Sequence, residues 1–117
     1  MNPFKDIDTF QTACDQEPSP ANYAMYQGLI KEEYDELVTA ILDDDKVEQL
    51  DALIDILVVT MGAIRAAGWD GEGAWQEVMR TNFAKIDPTT GKVRKREDGK
   101  VLKPEGWKAP DLAQFIV

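Results

Sequence analysis

The string Lys31-Glu32-Glu33-Tyr34-Asp35-Glu36-Leu37 concentrates acidic side chains, and a later string carries Glu48, Asp51 and Asp55 into an apolar run. At helical geometry Glu32 and Glu36 fall about 40° apart and Glu33 about 100° from Glu32, so all three can overhang one groove. Glu48, Asp51 and Asp55, at i, i+3 and i+7, stack within an arc of about 60°. Asp55 is the most informative of them, because it stands among Leu53, Ile54, Ile56 and Leu57 with no basic residue within a turn on its own helix. A buried unpaired carboxylate is costly, and like charges one turn apart add to the cost. Lys and Arg from elsewhere could compensate the stripe, but clustered carboxylates without histidine suit a hard, oxygen-preferring cation, Mg²⁺ or Mn²⁺. Two helices each offering carboxylates can coordinate more than one ion, an arrangement used in phosphoryl chemistry.

A solvated helix face accounts for Glu32, Glu33, Asp35 and Glu36 taken alone, and complementation of the helix dipole accounts for Glu48. Neither accounts for Asp51 and Asp55. Asp43, Asp44 and Asp45 read as loop and cap. Further on, Arg80, Asn82 and Lys85 precede Lys92, Arg94, Lys95, Arg96, Lys100 and Lys103. Such cations either satisfy phosphate oxygens or merely balance the acidic body.

The elements that must position these groups are helical. Phe4, Ile7, Phe10 and Cys14 recur every three or four positions from Pro3 to Gln16, the period of an amphipathic helix. Pro18 and Pro20 break it, and Ser19 followed by Pro20 starts a second helix that ends near Asp43. Asp44 or Asp45 caps a third, which closes at Gly68. That helix is apolar around most of its girth from Leu53 to Ala67, so it belongs inside a bundle or at a subunit interface. A fourth opens at Asp70 or Gly71 and runs through Phe83 and Ile86 to Asp87-Pro88. Beyond it, Asp98-Gly99 reads as a two-residue hairpin turn between Lys92-Val93-Arg94 and Lys100-Val101-Leu102. The expected fold is all-α: a single domain spanning 1–117, with a four-helix bundle-like body over 3–87 and a basic hairpin and tail over 88–117. The apolar third helix needs more cover than its neighbours supply, so a dimer or a dimer of dimers is expected.

Composition sets the outer bounds. The 117 residues carry 22 acidic and 13 basic side chains and no histidine, for a net charge of -9. This charge argues against nucleic acid polymers and anionic membranes as partners. The missing histidine removes Ser-His and Cys-His nucleophiles and His-ligated zinc or iron, and Cys14 alone makes no disulfide or thiolate cluster. No signal peptide or apolar run of membrane length is visible, and a reducing cytoplasm is the expected setting.

In order and spacing these residues resemble the MazG-like family of all-α nucleotide pyrophosphohydrolases, which includes phosphoribosyl-ATP pyrophosphohydrolase and the related dimeric dUTPases. The family pattern, E-E-x-x-E on one helix and E-x-x-D on the next, is met by Glu32-Glu33-Tyr34-Asp35-Glu36 and Glu48-Gln49-Leu50-Asp51. Asp51 to Asp55, Asn82 to Lys85 and the run Gly99 to Trp107 look like a small single-domain branch found in bacteria and phages. The resemblance covers roughly residues 20 to 110 and implies Mg²⁺-dependent cleavage of a nucleoside triphosphate between the α and β phosphates, two or more ions per site, and a cytosol of bacterial or phage-infected cells. Carried over, it makes Glu33, Glu36, Glu48 and Asp51 metal ligands, Asp55 an extra ligand or a partner of one, and Glu32 the candidate base or an outer ligand, with Glu33 beside it among the catalytic carboxylates. It assigns Asn82, Lys85, Lys92, Lys100 and Lys103 to the substrate. Phe4, Ile7, Gln11 and Tyr26 could line a base pocket in which Gln11 reads a base edge. The competing reading is a non-catalytic helical module whose third helix serves assembly as a homodimer or homotetramer.

Overall fold

The computed structural model describes residues 2–117. It is all-α and bundle-like, with α1 (Pro3–Ala13), α2 (Pro20–Leu42), α3 (Lys46–Ala66) and α4 (Gly71–Phe83). Among the described residues the only regular strands are β1 (Ile86–Asp87) and β2 (Lys92–Val93). The chain divides into two compact units, the first reaching to Gly71 and including Val117, the second Glu72–Ile116. The division falls at the start of α4, ahead of the compositional change at 87/88.

In the first unit the caps sit where side-chain chemistry requires them. Ser19 Oγ accepts from the Asn22 amide at 3.0 Å with Pro20 at the first helical position, and Asp45 accepts from the Glu48 amide at 3.1 Å. Asn2 performs the same service for α1, ahead of Pro3. Gly68, with φ +80°, follows α3 and takes the left-handed conformation that ends it. Asp44, also left-handed, turns α2 directly into α3, so the two form a helical hairpin.

The core of this unit is built on small residues. Tyr26 of α2 packs on Val59, Ala63 and Ala66 of α3, with Tyr23, Leu29 and Ile30 around them. Gly62 permits the closest approach: a Cβ there would lie 2.6 Å from both Gln11 Nε2 and Tyr26 Cε1. α1 is fastened to α3 by Arg65, whose Nε donates to Asp8 at 2.7 Å and whose Nη1 donates to Gln11 Oε1 at 3.0 Å and to the Gln16 carbonyl at 2.7 Å. The apolar girth of α3 is split. Ala52, Val59, Ala63 and Ala66 are buried, while Val47, Leu50, Leu53, Ile54 and Leu57 are exposed.

In the second unit α4 stops at Phe83 rather than continuing through Ile86. Pro88 holds Asp87 extended, and Ile86 joins it as a strand paired with Val93. The turn farther along also differs from the two-residue form. The Gly99 amide donates to the Arg96 carbonyl at 2.9 Å and Gly99 has φ +88°, so Glu97 and Asp98 occupy the turn centre and the glycine takes the left-handed position after it. Arg96 N–H then donates to Lys100 O, and Lys95 bridges Val101. The tail returns to α4: Trp107 Nε1 donates to the Thr81 carbonyl at 2.7 Å, and the Asp111 amide donates to Glu77 Oε2 at 2.8 Å.

Candidate active site

The α2 face toward α3 runs through Tyr26, Ile30, Glu33, Leu37 and Ala40, all buried or half-buried. A glutamate therefore interrupts an apolar stripe. Glu33 Oε2 is removed from solvent and has no hydrogen-bond partner. Burial, the hydrogen-bonding contact with Glu36, and the charges of Glu36, Asp55 and Asp51 together push the Glu33 carboxyl up to about 7. Asp55, half-buried on α3, is also raised, by burial first and then by Asp51 and Glu36. Four carboxylates from two helices thus bear on one another, and among the described residues no cation figures in the shifts of Glu33 and Asp55.

Next to this set lies a cavity of about 410 Å³, lined by Asp35, Glu36, Asp43, Asp45, Glu48 and Asp51. Lys31 pairs with Asp35 at 2.8 Å, on an exposed edge. Glu36 and Asp51 belong to both the coupled set and the cavity. Glu48 joins through the cavity, Asp55 through the coupled set, and Glu32 is exposed and belongs to neither.

Among the described residues, no three acidic or cysteine side chains stand close enough together to hold a metal ion as they are. The fit to a divalent cation is one of chemistry and charge. The donors are all carboxylate oxygens, one of them buried and unpartnered, and their mutual repulsion is what a hard cation relieves.

Asp43 and Asp45 line the cavity although their spacing reads as loop and cap. The cap role is also real for Asp45, so the sequence signal was correct but incomplete. Arg65 is an anchor that residue type alone does not single out. It is the one basic residue between Lys46 and Arg80, embedded in an apolar run, and that isolation was the available signal.

The second unit gathers cations of its own. Lys85 Nζ and Lys103 Nζ lie 5.1 Å and 4.9 Å from the centroid of the Trp107 ring, and Lys85 donates to Asn82 Oδ1 at 3.2 Å. Lys92 and Lys100 are exposed on the hairpins.

An all-α chain that converges the carboxylates of E-E-x-x-E and E-x-x-D strings on adjacent helices is a MazG-like nucleotide pyrophosphohydrolase. More particularly, residues 7–82 match the family described as phosphoribosyl-ATP pyrophosphohydrolase, and the chain belongs to that family. The match takes in every carboxylate of the coupled set and ends at Asn82, short of most of the basic segment. No curated protein matches the chain. Among the described residues, no helix is long and apolar enough to cross a membrane.

Proposed function

We propose that the chain hydrolyses a nucleoside or deoxynucleoside triphosphate between the α and β phosphates, releasing the monophosphate and pyrophosphate, and so controls a nucleotide pool in the cytoplasm. The observation that carries this reading is the unpartnered, buried Glu33 Oε2 within a four-carboxylate set on α2 and α3. Glu33, Glu36, Glu48 and Asp51, with Asp55, would hold two or more Mg²⁺ ions, for which Mn²⁺ substitutes; bound there, they would neutralise the polyphosphate and lower the pKa of the attacking water. The chain's own part is proton management. Glu33, removed from solvent within the set, is favoured over the exposed Glu32 as the group that takes the proton from water. Asn82, Lys85 and Lys103 have the chemistry to satisfy phosphate oxygens, with Lys92 and Lys100 as further cations.

Val47, Leu50, Ile54 and Leu57 recur at spacings of three and four along α3, the seam of a self-associating helix, and all four are exposed. We assign this face to a second copy of the chain, in a homodimer or homotetramer.

The deciding measurement is the product formed from each of the eight common NTPs and dNTPs with purified protein and Mg²⁺. Monophosphate with pyrophosphate supports the bond assignment; diphosphate with orthophosphate overturns it. Glu32→Gln and Glu33→Gln separate the two base candidates, with the larger loss of kcat expected for Glu33→Gln.

A further inference from the structure

The last turn of α4 leaves a carbonyl that the tail claims. The Ala84 amide donates to the Arg80 carbonyl at 3.0 Å and the Lys85 amide to the Asn82 carbonyl at 3.1 Å, so the Thr81 carbonyl between them receives neither. Trp107 Nε1 donates to it instead, at 2.7 Å. An indole has this single donor, so the bond fixes which edge of the half-buried ring meets α4. Lys85 comes to the same ring from the end of the helix, and Lys103 comes to it through a turn. The Trp107 amide donates to the Pro104 carbonyl at 3.0 Å, and Gly106, with φ +76°, supplies the left-handed position that turn requires. The two ammoniums lie 5.1 Å and 4.9 Å from the ring centroid, inside the ~6 Å over which an aromatic face attracts a cation.

Two like charges gathered on one ring stand no more than about 10 Å apart, roughly one Debye length, so salt screens their repulsion only in part. Two arginines of the same unit are held differently. Arg80 pairs with Glu77 and Arg96 with Asp98, so each is neutralised by the group that orients it. Among the described residues no carboxylate stands within ion-pair distance of Lys85 or Lys103. The ring orients an ammonium without neutralising it, which leaves the charge, and the N–H donors that point away from the ring, open to an anion from outside. Lys85 commits one of its three donors to Asn82 Oδ1, at 3.2 Å.

We infer that Trp107 is a positioning residue, which holds Lys85 and Lys103 as an uncompensated pair for the linked phosphates of the substrate and of the pyrophosphate it releases. Two ammoniums from separate segments can each take the oxygens of one phosphate group, and a polyanion between them relieves the repulsion that the ring imposes. Trp107 acts through the lysines and not on the phosphates directly. The inference rests on the nucleotide-hydrolase reading of this chain, which gives the lysines to phosphate oxygens, and adds the residue that organises them.

The test uses inorganic pyrophosphate, titrated calorimetrically with Mg²⁺ into the wild type, Trp107→Leu and Trp107→Phe. Leucine removes both the ring and the N–H, whereas phenylalanine keeps a cation-binding ring without the N–H. Trp107→Leu is expected to weaken pyrophosphate binding about tenfold, and Trp107→Phe to recover most of that loss. In turnover, Trp107→Leu should raise KM for a triphosphate about tenfold and change kcat less than about twofold, and phenylalanine should again restore KM. Recovery by a residue that cannot bond Thr81 separates holding the lysines from fastening the tail. Equal losses in the two variants, or no loss in either, overturn the inference. Should Trp107→Leu fail to fold, the Trp107 indole N–H resonance of the wild type gives the answer. It is expected to shift with pyrophosphate and to stay in place with sodium chloride of equal ionic strength, and an unmoved resonance overturns the inference. Pyrophosphate bound through Trp107 in a protein that releases none from any triphosphate refutes the hydrolase proposal alone. Pyrophosphate release with a KM indifferent to position 107 refutes this inference alone.

Discussion

Glu33, removed from solvent on α2, stands three residues before Glu36 on the same helix, and burial first, then the neighbouring Glu36 carboxyl, pushes Glu33 up to about 7. Because the folded-state value is raised above the ordinary 4.5, the folded protein binds this proton more tightly than the unfolded chain does. Glu33 therefore adds stability below about pH 4.5 that disappears as the pH rises toward 7. Asp55, raised in the same direction, acts with it. Glu77 is lowered to about 2 by its hydrogen bond with Arg80 and by the Asp111 amide, and it acts in the opposite sense only under more acidic conditions. The melting temperature in EDTA should accordingly fall between about pH 4.5 and 7. Added Mg²⁺ should remove most of that fall by stabilising the ionised set. A profile flat in pH and indifferent to Mg²⁺ would contradict the site.

Asp55 faces the same cluster from α3 without a cation beside it, so its charge is a liability in the metal-free protein. Asp55→Asn should raise the melting temperature in EDTA by a few degrees, equivalent to about 1 kcal/mol. The same change should reduce both the Mg²⁺-induced stabilisation and the turnover. Asp51→Asn and Glu36→Gln should abolish turnover with the helical circular-dichroism signal intact. Thermal scans with and without Mg²⁺, run beside the pyrophosphate assay, check both halves. Full activity in the Asp51 and Glu36 variants would remove these residues from the site.

How far the sequence carried follows from the range of the interactions involved. Ser19 with Pro20, Asp45, and Gly68 mark helix ends because each acts on backbone groups a few residues away. The turn at Asp98-Gly99 departs from the two-residue form because a glycine in the left-handed region serves two hairpin types, and only the Arg96 carbonyl accepting from Gly99 separates them. Asp55 stands out in the sequence as a carboxylate within an apolar run, and it is half-buried on α3. Helical periodicity could not say which of Glu32, Glu33 and Glu36 faces α3, since all three lie within a broad arc. That choice is made by the partner helix, where Ala52 and Gly62 let α2 approach closely. The Gln11 to Arg65 link spans 54 residues and was equally invisible.

Gly62 offers a sharp test of that close approach. A Cβ at this position would lie 2.6 Å from Gln11 Nε2 and 2.6 Å from Tyr26 Cε1. Neither can yield easily, because Arg65 holds the amide and the Tyr26 ring is buried in the core. Gly62→Ala should destabilise by about 1–3 kcal/mol despite the better helix propensity of alanine. Urea unfolding at constant m-value measures it, and a neutral or stabilising result would show that the contact relaxes.

Arg65 fastens α1 to α3 through four acceptors, but they are not equal. Asp8 is mostly exposed, so that ion pair adds little; the Gln11 Oε1 and Gln16 carbonyl acceptors are half-buried or deeper. Arg65→Met keeps the apolar stem and removes every donor, leaving those oxygens unsatisfied. The expected cost is about 2–4 kcal/mol. Arg65→Lys should recover only part of it, since one ammonium cannot match the planar fork. Restoration of full stability by lysine would mean that charge, not geometry, secures α1.

The exposed seam of α3 makes the remaining prediction. Val47 is 77% exposed, Leu50 62% and Leu57 54%, a density of open apolar surface on one helix that a lone chain has no reason to keep. A second copy meeting the first along Val47, Leu50, Ile54 and Leu57 would bury all four residues on both sides. Asp51 and Asp55 lie one residue beyond Leu50 and Ile54 on the same helix, so closing the seam also limits the freedom of the carboxylates beside it. Light scattering should give at least twice the mass of one chain for the wild type. Leu50→Glu combined with Leu57→Glu should give a single-chain mass with lower melting temperature and lower turnover. Retention of the oligomer in the double variant would place the interface elsewhere, and a monomeric wild type would leave the seam without its partner.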